Sequence, residues 1–301
     1  MTRVLTALAS LVCLVLAAFG IAAGSPLSLF DAIGPRDPGG RQALRDEPFG
    51  EGDRRRLDVY VPVGASDRAP VLIFFYGGSW QSGTKDDYAF VGQALAAQGF
   101  VTVVPDYRLF PESPFPGFLE DGAQAVAWVR DNIAAYGGDP RRIVLAGHSA
   151  GAYNAVMLGL DPSYLRAAGV DPRVIRAVAG LSGPYDFAPF DTETSIRVFG
   201  GAPDPAATQP VTFAGPNAPP AFLATGEADT VVRPRNTQSL AAKLRAAHVP
   251  VQERIYPRLD HSDPLLALSV TFRSKAPVLA EMAAFLKGQA LNRQQVTVGV
   301  R

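Results

Sequence analysis

The chain has 301 residues, of which 48% are hydrophobic and 19% are charged. Its length fits two domains or one large α/β domain, and its apolar content is enough for a sizeable core, which excludes wholesale disorder. The 28 Lys and Arg residues equal the 28 Asp and Glu residues, so the basic excess expected of a nucleic-acid binder is absent. The single cysteine, Cys13, excludes an intramolecular disulfide and a multi-cysteine metal site.

The first 24 residues are predicted to form a targeting segment. Residues 4–23 carry no charge, Arg3 precedes them, and the small residues Gly24 and Ser25 follow. This order is typical of a secretory signal peptide. The run also approaches the roughly 20 residues that span a bilayer, so a retained signal anchor in a membrane is the alternative. Both interpretations predict an exported protein whose bulk lies outside the cytoplasm.

Residues 25–47 are rich in Gly, Pro, Asp and Arg and are predicted to be a tether. A first strand follows at 57–61, where apolar residues alternate with Asp58 and Tyr60, as in a half-buried strand. The charge run at 53–56, directly before it, is interpreted as a solvated turn that protects a sheet edge. The main domain is therefore predicted to occupy residues 48–287.

Short apolar segments then alternate with helical segments. Further strands are predicted at 71–75, 101–104, 143–146, 174–179, 221–225 and 251–256, and helices at 86–98, 118–136, 234–247 and 264–287, with one more directly after the strand at 143–146. This alternation predicts an α/β fold with a mainly parallel central sheet and helices on both faces. The Pro- and Gly-rich segment 187–217 is predicted to be a small lid beside the site, and residues 288–301 a loose tail.

The segment Gly147-His148-Ser149-Ala150-Gly151 lies between a predicted strand and a predicted helix. A serine on such a tight turn has a strained backbone, tolerates only small neighbours, and projects its Oγ at the carboxyl end of the sheet. Ser149 is therefore the predicted nucleophile. The N–H of Ala150 would lie at a helix N-terminus, where positive partial charge can stabilise an oxyanion.

A serine nucleophile needs a neighbouring base, and the chain has three histidines. His261 lies in a loop after the last predicted strand, from which it can reach back over the sheet, and is the predicted base. His148 adjoins the nucleophile and is interpreted as structural, with its side chain directed away from Ser149. His248 lies at the end of a predicted helix and is interpreted as a helix C-terminal residue.

The acid that orients the imidazole is expected in the loop after the strand at 221–225. Asp229 is the predicted acid, and Glu227, closer to the strand end, is the alternative. Asp260 is interpreted as a candidate for a surface pair with the adjacent histidine, and Asp186 is a weaker candidate for the acid. With serine first, the acid second and histidine last, the chain order is that of α/β-hydrolase triads.

Several motifs together make residues 58–286 resemble the α/β-hydrolase carboxylesterases, in the branch of hormone-sensitive-lipase-like esterases and kynurenine formamidases. The motifs are the glycine-rich segment Tyr76–Trp80, the segment Asp106–Leu109, the elbow Gly147–Gly151, and the Asp229 and His261 loops. The chain departs from the family at Tyr76, where a histidine is usual, and at Ser79, where the lipase-like form has a third glycine.

The resemblance implies an α/β-hydrolase fold and an oxyanion hole formed by the N–H groups of Gly78, Ser79 and Ala150. It also implies that the segment Asp106–Leu109 braces the site, although ordinary structural hydrogen bonding is the simpler interpretation. The implied activity is hydrolysis of a small-molecule ester, with a short to medium acyl chain, through an acyl-enzyme intermediate. No metal or organic cofactor is expected.

Two other functions are compatible with these residues. An amidase of the formamidase kind would use the same three side chains, although export argues against a substrate from the cytosol. A non-catalytic binding module could also use this scaffold, because a fold does not dictate a function. The presence of all three triad residues disfavours that interpretation.

Overall fold

The computed structural model describes residues 26–64 and 68–292. Contacts divide the chain into two units, residues 1–34 and 35–301. The described part of the first unit is helix α1 (Pro26–Ile33). The predicted signal or anchor segment, including Cys13, and most of the predicted loose tail lie outside the described residues. None of the helices within residues 26–64 and 68–292 combines the length and apolar character needed to cross a membrane.

The second unit is built on one eight-stranded sheet with the strand order β1-β2-β4-β3-β5-β6-β7-β8. The strands are β1 (Gly40–Pro48), β2 (Arg56–Pro62), β3 (Ala69–Phe75), β4 (Val101–Pro105), β5 (Gly138–His148), β6 (Ile175–Leu181), β7 (Ala221–Gly226) and β8 (Val251–Tyr256). Strand β2 pairs antiparallel with β1 and β4, and the other neighbours pair in parallel. The predictions of a mainly parallel sheet and of an α/β-hydrolase fold are confirmed.

The helices of this unit follow the strands and cover the sheet. They are α2 (Ala89–Ala97), α3 (Gly117–Asn132), α4 (Ala150–Leu160), α5 (Pro162–Ala167), α6 (Glu193–Phe199), α7 (Arg235–Ala246), α8 (Asp263–Leu266) and α9 (Val278–Leu291). Every residue of β6 and β7 is buried, so both faces of the sheet are covered there. The predicted single helix at 264–287 is wrong between residues 267 and 277. Pro277 accounts for the end of this interruption, because it places the preceding Ala276 in an extended backbone (φ −164°, ψ 155°).

The predicted tether at 25–47 is wrong in its second half, because residues 40–47 belong to the sheet. Strand β1 pairs with β2 along the sheet edge, and most of its side chains are exposed or half-buried. A polar sequence is normal for an edge strand, which explains why its composition resembles that of a linker. The sheet-forming domain therefore begins before the predicted boundary at residue 48.

Strand β2 also differs from the prediction, since it is buried on both faces. Asp58 and Tyr60 are 1% and 0% exposed. The Asp58 carboxylate accepts hydrogen bonds from the Asp46 N–H (2.9 Å) and Gln42 Nε2 (3.0 Å) and lies 3.0 Å from the Lys85 ammonium. These partners offset the cost of burying the charge of Asp58. The prediction of a half-buried strand, made from the alternation of polar and apolar residues, is therefore wrong for β2.

Candidate active site

Ser149 lies on the sharp turn between β5 and α4. Its backbone has φ 54° and ψ −122°, in the left-handed range that residues other than glycine rarely adopt. The turn is fixed by a hydrogen bond from the Ser149 N–H to the Leu181 carbonyl (2.8 Å). A Cβ on Gly147 would lie 2.2 Å from the Gly151 carbonyl oxygen, and one on Gly151 would lie 2.0 Å from the Phe75 carbonyl oxygen. Both flanking glycines are therefore required by close backbone contacts.

Gly151→Ala is expected to destabilise the fold by about 3 kcal/mol or more, because its new methyl group would overlap backbone that cannot move freely. Urea unfolding of the variant and the wild type measures this loss. The matched control is Gly201→Ala, since a Cβ at Gly201 meets no atom within 4 Å. Equal midpoints for the Gly151 and Gly201 variants would contradict the tight-turn interpretation.

The structure brings together the three side chains predicted to form a triad. Ser149 Oγ lies 2.9 Å from His261 Nε2, and His261 Nδ1 lies 2.8 Å from Asp229 Oδ2. A carboxylate only accepts, so Nδ1 carries the proton, and Nε2 is left to accept the serine O–H. A hydroxyl held by an imidazole that is itself oriented by a carboxylate is the arrangement that activates serine for nucleophilic attack.

The other candidate acids make different contacts. Glu227 is exposed, and its carboxylate accepts a hydrogen bond from the Arg258 N–H (3.3 Å). Asp260 accepts from the Ser262 N–H at 2.9 Å, and Asp186 accepts from the Ser239 hydroxyl. The described contacts therefore place Asp229, and none of these alternatives, on the His261 ring.

Asp229 occupies a fully buried position at the start of the loop after β7. Its side chain has 0% exposure, and its Oδ1 accepts from the N–H groups of Val231 (3.0 Å) and Val232 (2.8 Å). Burial acts to raise the pKa of this carboxyl, but the hydrogen bond with His261 and the backbone N–H groups outweigh it and lower the pKa below its usual value. Asp229 is therefore ionised near neutral pH.

His148 connects the elbow to the loop that carries His261. Its Nε2 lies 2.9 Å from the His261 carbonyl oxygen, which only accepts, so Nε2 carries the proton. The two imidazole rings are 5.0 Å apart between centroids. Burial, followed by the neighbouring His261, lowers the pKa of His148 from 6.5 to about 3. His148 is thus a neutral hydrogen-bond donor to the His261 backbone.

The buried His148 makes stability depend on pH. The unfolded state takes up a proton at this residue near pH 6.5, whereas the native state does so only near pH 3. Stability is therefore lost as the pH falls between these values, by on the order of 4 kcal/mol. In His148→Gln this dependence is expected to shrink, as urea unfolding at several pH values would show. The exposed His248 provides the control variant His248→Gln, which should retain the wild-type dependence.

The glycine loop, defined as residues 76–83, lies against the serine. A Cβ on Gly77 would be 3.1 Å from Ser149 Cβ. The backbone then follows an unusual path, with φ values of 130° at Gly78, 56° at Ser79 and 57° at Trp80. Among the backbone hydrogen bonds of the described residues, none is donated by the N–H of Gly78, Ser79 or Ala150. These three groups, predicted to be oxyanion donors, thus have no backbone acceptor among those bonds.

The segment Asp106–Leu109 supports the glycine loop from beneath. The Tyr107 hydroxyl donates to the Tyr76 carbonyl at 2.8 Å, and the Tyr76 hydroxyl donates to Asp106 Oδ1 at 2.7 Å. The Tyr76 and Tyr107 rings stack with centroids 4.6 Å apart. Arg108 makes a bidentate ion pair with the buried Asp121. Within this segment, the contacts to the loop come from Asp106 and Tyr107.

An aromatic cluster lies next to the serine. The Trp80 ring contacts Phe118, Tyr153 and Phe199 at centroid distances of 5.6, 5.2 and 4.8 Å. Tyr153 is one helical turn beyond Ser149, and Phe199 ends α6 in the segment predicted to be a lid. All four rings are nearly or fully buried, so this segment is anchored in the core beside the elbow.

A family model described as BD-FAE matches residues 57–244, well over half of the chain. Carboxylesterase NlhH of Mycobacterium tuberculosis (strain CDC 1551 / Oshkosh) is 35% identical over 243 residues, which cover 72% of this chain and 74% of that protein. A probable isoprenylcysteine alpha-carbonyl methylesterase of rice, Oryza sativa subsp. japonica, is 38% identical over 150 residues. That match covers 48% of this chain and 35% of the rice protein, so the chain spans only about a third of that relative's length.

The fold has a close counterpart among solved structures. Esterase B from Lactobacillus rhamnosis superposes with a TM-score of 0.76 over 96% of both chains, at 18% sequence identity. At that identity the likeness concerns the fold alone.

Proposed function

Because the chain belongs to the BD-FAE family, within the α/β-hydrolase carboxylesterases, we propose that it hydrolyses carboxylic esters with short to medium acyl chains. Ser149 is the nucleophile, His261 the general base and Asp229 the orienting acid. The observation that carries the proposal is the continuous hydrogen-bonded chain from Ser149 Oγ through the His261 ring to the buried Asp229 carboxylate.

The proposed reaction has two steps. His261 Nε2 takes the proton as Ser149 Oγ bonds to the ester carbonyl carbon, and the carbonyl oxygen becomes an oxyanion that the N–H groups of Gly78, Ser79 and Ala150 stabilise. The ester C–O bond then breaks, the alcohol leaves with the proton from His261, and an acyl-enzyme remains. Water activated by His261 attacks this intermediate, releases the carboxylic acid and restores the serine.

The proposed limit on acyl length is supported by the aromatic cluster of Trp80, Phe118, Tyr153 and Phe199. Its rings pack tightly beside the elbow, so little space is left there for a long chain. Hydrolysis of p-nitrophenyl esters from acetate to palmitate tests this directly, and we expect the highest kcat/KM at short chains. A maximum at palmitate would contradict the length limit while leaving ester hydrolysis intact.

The same assay, extended to a formamide and to a fluorophosphonate label, distinguishes the alternative functions. Turnover of N-formylkynurenine above that of every ester would favour a formamidase. No turnover of any ester or formamide by the folded full-length chain, together with no labelling of Ser149 by a fluorophosphonate, would favour a binding module.

We also propose export, supported by the uncharged run at 4–23. Fractionation of cells that express the full chain tests it, and recovery from the cytosol would contradict it.

A further inference from the structure

An arginine from the turn between β1 and β2 reaches the glycine loop. The turn is closed by hydrogen bonds from the Phe49 N–H to the Arg55 carbonyl (2.9 Å) and from the Arg55 N–H to the Gly52 carbonyl (3.2 Å). This geometry directs the neighbouring Arg54 inward, and its side chain is only 31% exposed. The interpretation of the charge run at 53–56 as a solvated turn is therefore wrong for Arg54.

Arg54 binds both ends of the glycine loop. One guanidinium nitrogen donates to the Tyr76 phenol oxygen at 2.8 Å and to the Gly83 carbonyl at 2.6 Å. Its Nε donates to the Tyr107 carbonyl at 3.1 Å. Tyr76 is the first residue of the loop and Gly83 the last, so this one side chain connects the two ends of the loop.

The arginine completes a buried set of polar contacts. The Tyr76 hydroxyl accepts from Arg54 and donates to Asp106 Oδ1 (2.7 Å), which also accepts the Lys85 N–H (2.9 Å). The guanidinium lies 3.8 Å from the same carboxylate oxygen. The first end of the loop is therefore anchored by a hydrogen bond between the Arg54 guanidinium and the Tyr76 phenol. This contact depends on Tyr76, the position at which the chain has no histidine.

Between these anchors the loop is held at Trp80, whose indole N–H donates to Asn154 Oδ1 (3.0 Å), and by bonds from the Gln81 and Ser82 N–H groups to the Gly78 carbonyl (3.0 Å each). Its backbone turns through three consecutive positive φ values at residues 78–80. It closes with Gly83 so near Gly77 that a Cβ on Gly83 would be 2.8 Å from the Gly77 carbonyl oxygen. The N–H groups of Gly78 and Ser79 belong to this strained segment. A shift of Tyr76 or Gly83, the two ends that Arg54 binds, would therefore move these N–H groups relative to Ser149.

We infer that Arg54 is a positioning residue that sets the oxyanion hole by clamping the two ends of the glycine loop. The inference rests on the proposed ester hydrolysis and deepens it. Arg54 precedes the region 57–244 that matches the family model, so this clamp comes from the hairpin that extends the matched domain. Displacing a donor weakens its hydrogen bond to the oxyanion of the transition state more than its contact with the ground-state ester, so the loss should fall on kcat rather than on KM.

The test compares Arg54→Met with Arg55→Met in the full-length chain. Arg55 is the adjacent residue, has a similar exposure of 25%, and pairs with the buried Asp121 at 2.9 Å without contacting the loop. For Arg54→Met we expect kcat on p-nitrophenyl acetate to fall at least about tenfold, with KM changed by no more than about twofold. The fall should be smaller than the roughly 10²–10³-fold loss caused by deleting an oxyanion-hole donor outright. Affinity for a trifluoromethyl ketone, which forms an oxyanion on the serine, should fall by the same factor as kcat.

The outcomes separate this inference from the proposed function. Inactive wild type would refute the proposed ester hydrolysis. Active wild type with equal kcat values for the two arginine variants, or with a loss confined to KM, would refute the clamp. If Arg54→Met does not fold, Tyr76→Phe is the second variant, because it removes the hydroxyl that joins Arg54 and Asp106 at the first end of the loop. A selective loss of kcat supports the clamp, and unchanged kcat and ketone affinity overturn it.

Discussion

Ser149→Ala is expected to lower kcat/KM for short p-nitrophenyl esters by roughly 10⁵–10⁶-fold, to the rate that remains without a nucleophile. The reason is that Oγ forms the covalent bond to the acyl group, and no other hydroxyl is bonded to the His261 ring in the described part of the chain. Alanine also fits the turn, so the variant should keep its fold and its circular dichroism spectrum.

Fluorophosphonate labelling gives a second measurement of the same prediction. The wild type should be labelled at Ser149 and the Ser149→Ala variant should not be. The control is Ser163→Ala, on the exposed side of α5 and away from the triad contacts, which should match the wild type in both assays. Full turnover by Ser149→Ala would exclude the serine mechanism, whatever the fold.

Asp229→Asn is expected to lower kcat by roughly 10⁴-fold with little change in KM. The substitution removes the charge that stabilises the imidazolium, and the asparagine amide can donate to Nδ1, which turns the ring to the wrong tautomer. The two backbone N–H groups at 3.0 and 2.8 Å should keep the side chain in place, so the loss reports chemistry rather than unfolding.

Glu227→Gln is the matched comparison, because it makes the same isosteric change in the alternative acid. Glu227 is exposed and bonded to the Arg258 N–H, so this variant should keep most of the wild-type kcat. Steady-state kinetics of the two variants side by side decide between the acids. A larger loss in Glu227→Gln would reverse the assignment.

The sequence predicted the parallel part of the fold well because its strands are short, apolar and separated by helices. The elbow was equally recognisable, since Gly147 must leave room for the Gly151 carbonyl within the turn and Gly151 for the Phe75 carbonyl at the end of the neighbouring strand. The loops that carry Asp229 and His261 could be placed because parallel strands end at the same edge of the sheet. These features were predictable because the residue pattern identifies the strands and the turn, and the common direction of the strands places their ends together.

The features that the sequence did not reveal depend on contacts between distant segments. Strand β1 resembles a linker because only one of its sides pairs with another strand. Without β1, nothing places Arg54 next to Tyr76, 22 residues further along the chain. His148 was predicted to be structural, but its bond to the His261 backbone spans 113 residues and has no local signal.

Both free margins of the sheet carry charge, and this affects how the protein behaves when crowded. The sheet ends at β1 and β8; β1 contains Arg41 and Arg45, and β8 contains Glu253 and Arg254. An incoming strand from a second molecule would have to strip water from these groups before pairing with the backbone. These charges oppose edge-to-edge pairing of sheets from different molecules. Substitutions that neutralise them should therefore promote aggregation through β1 or β8.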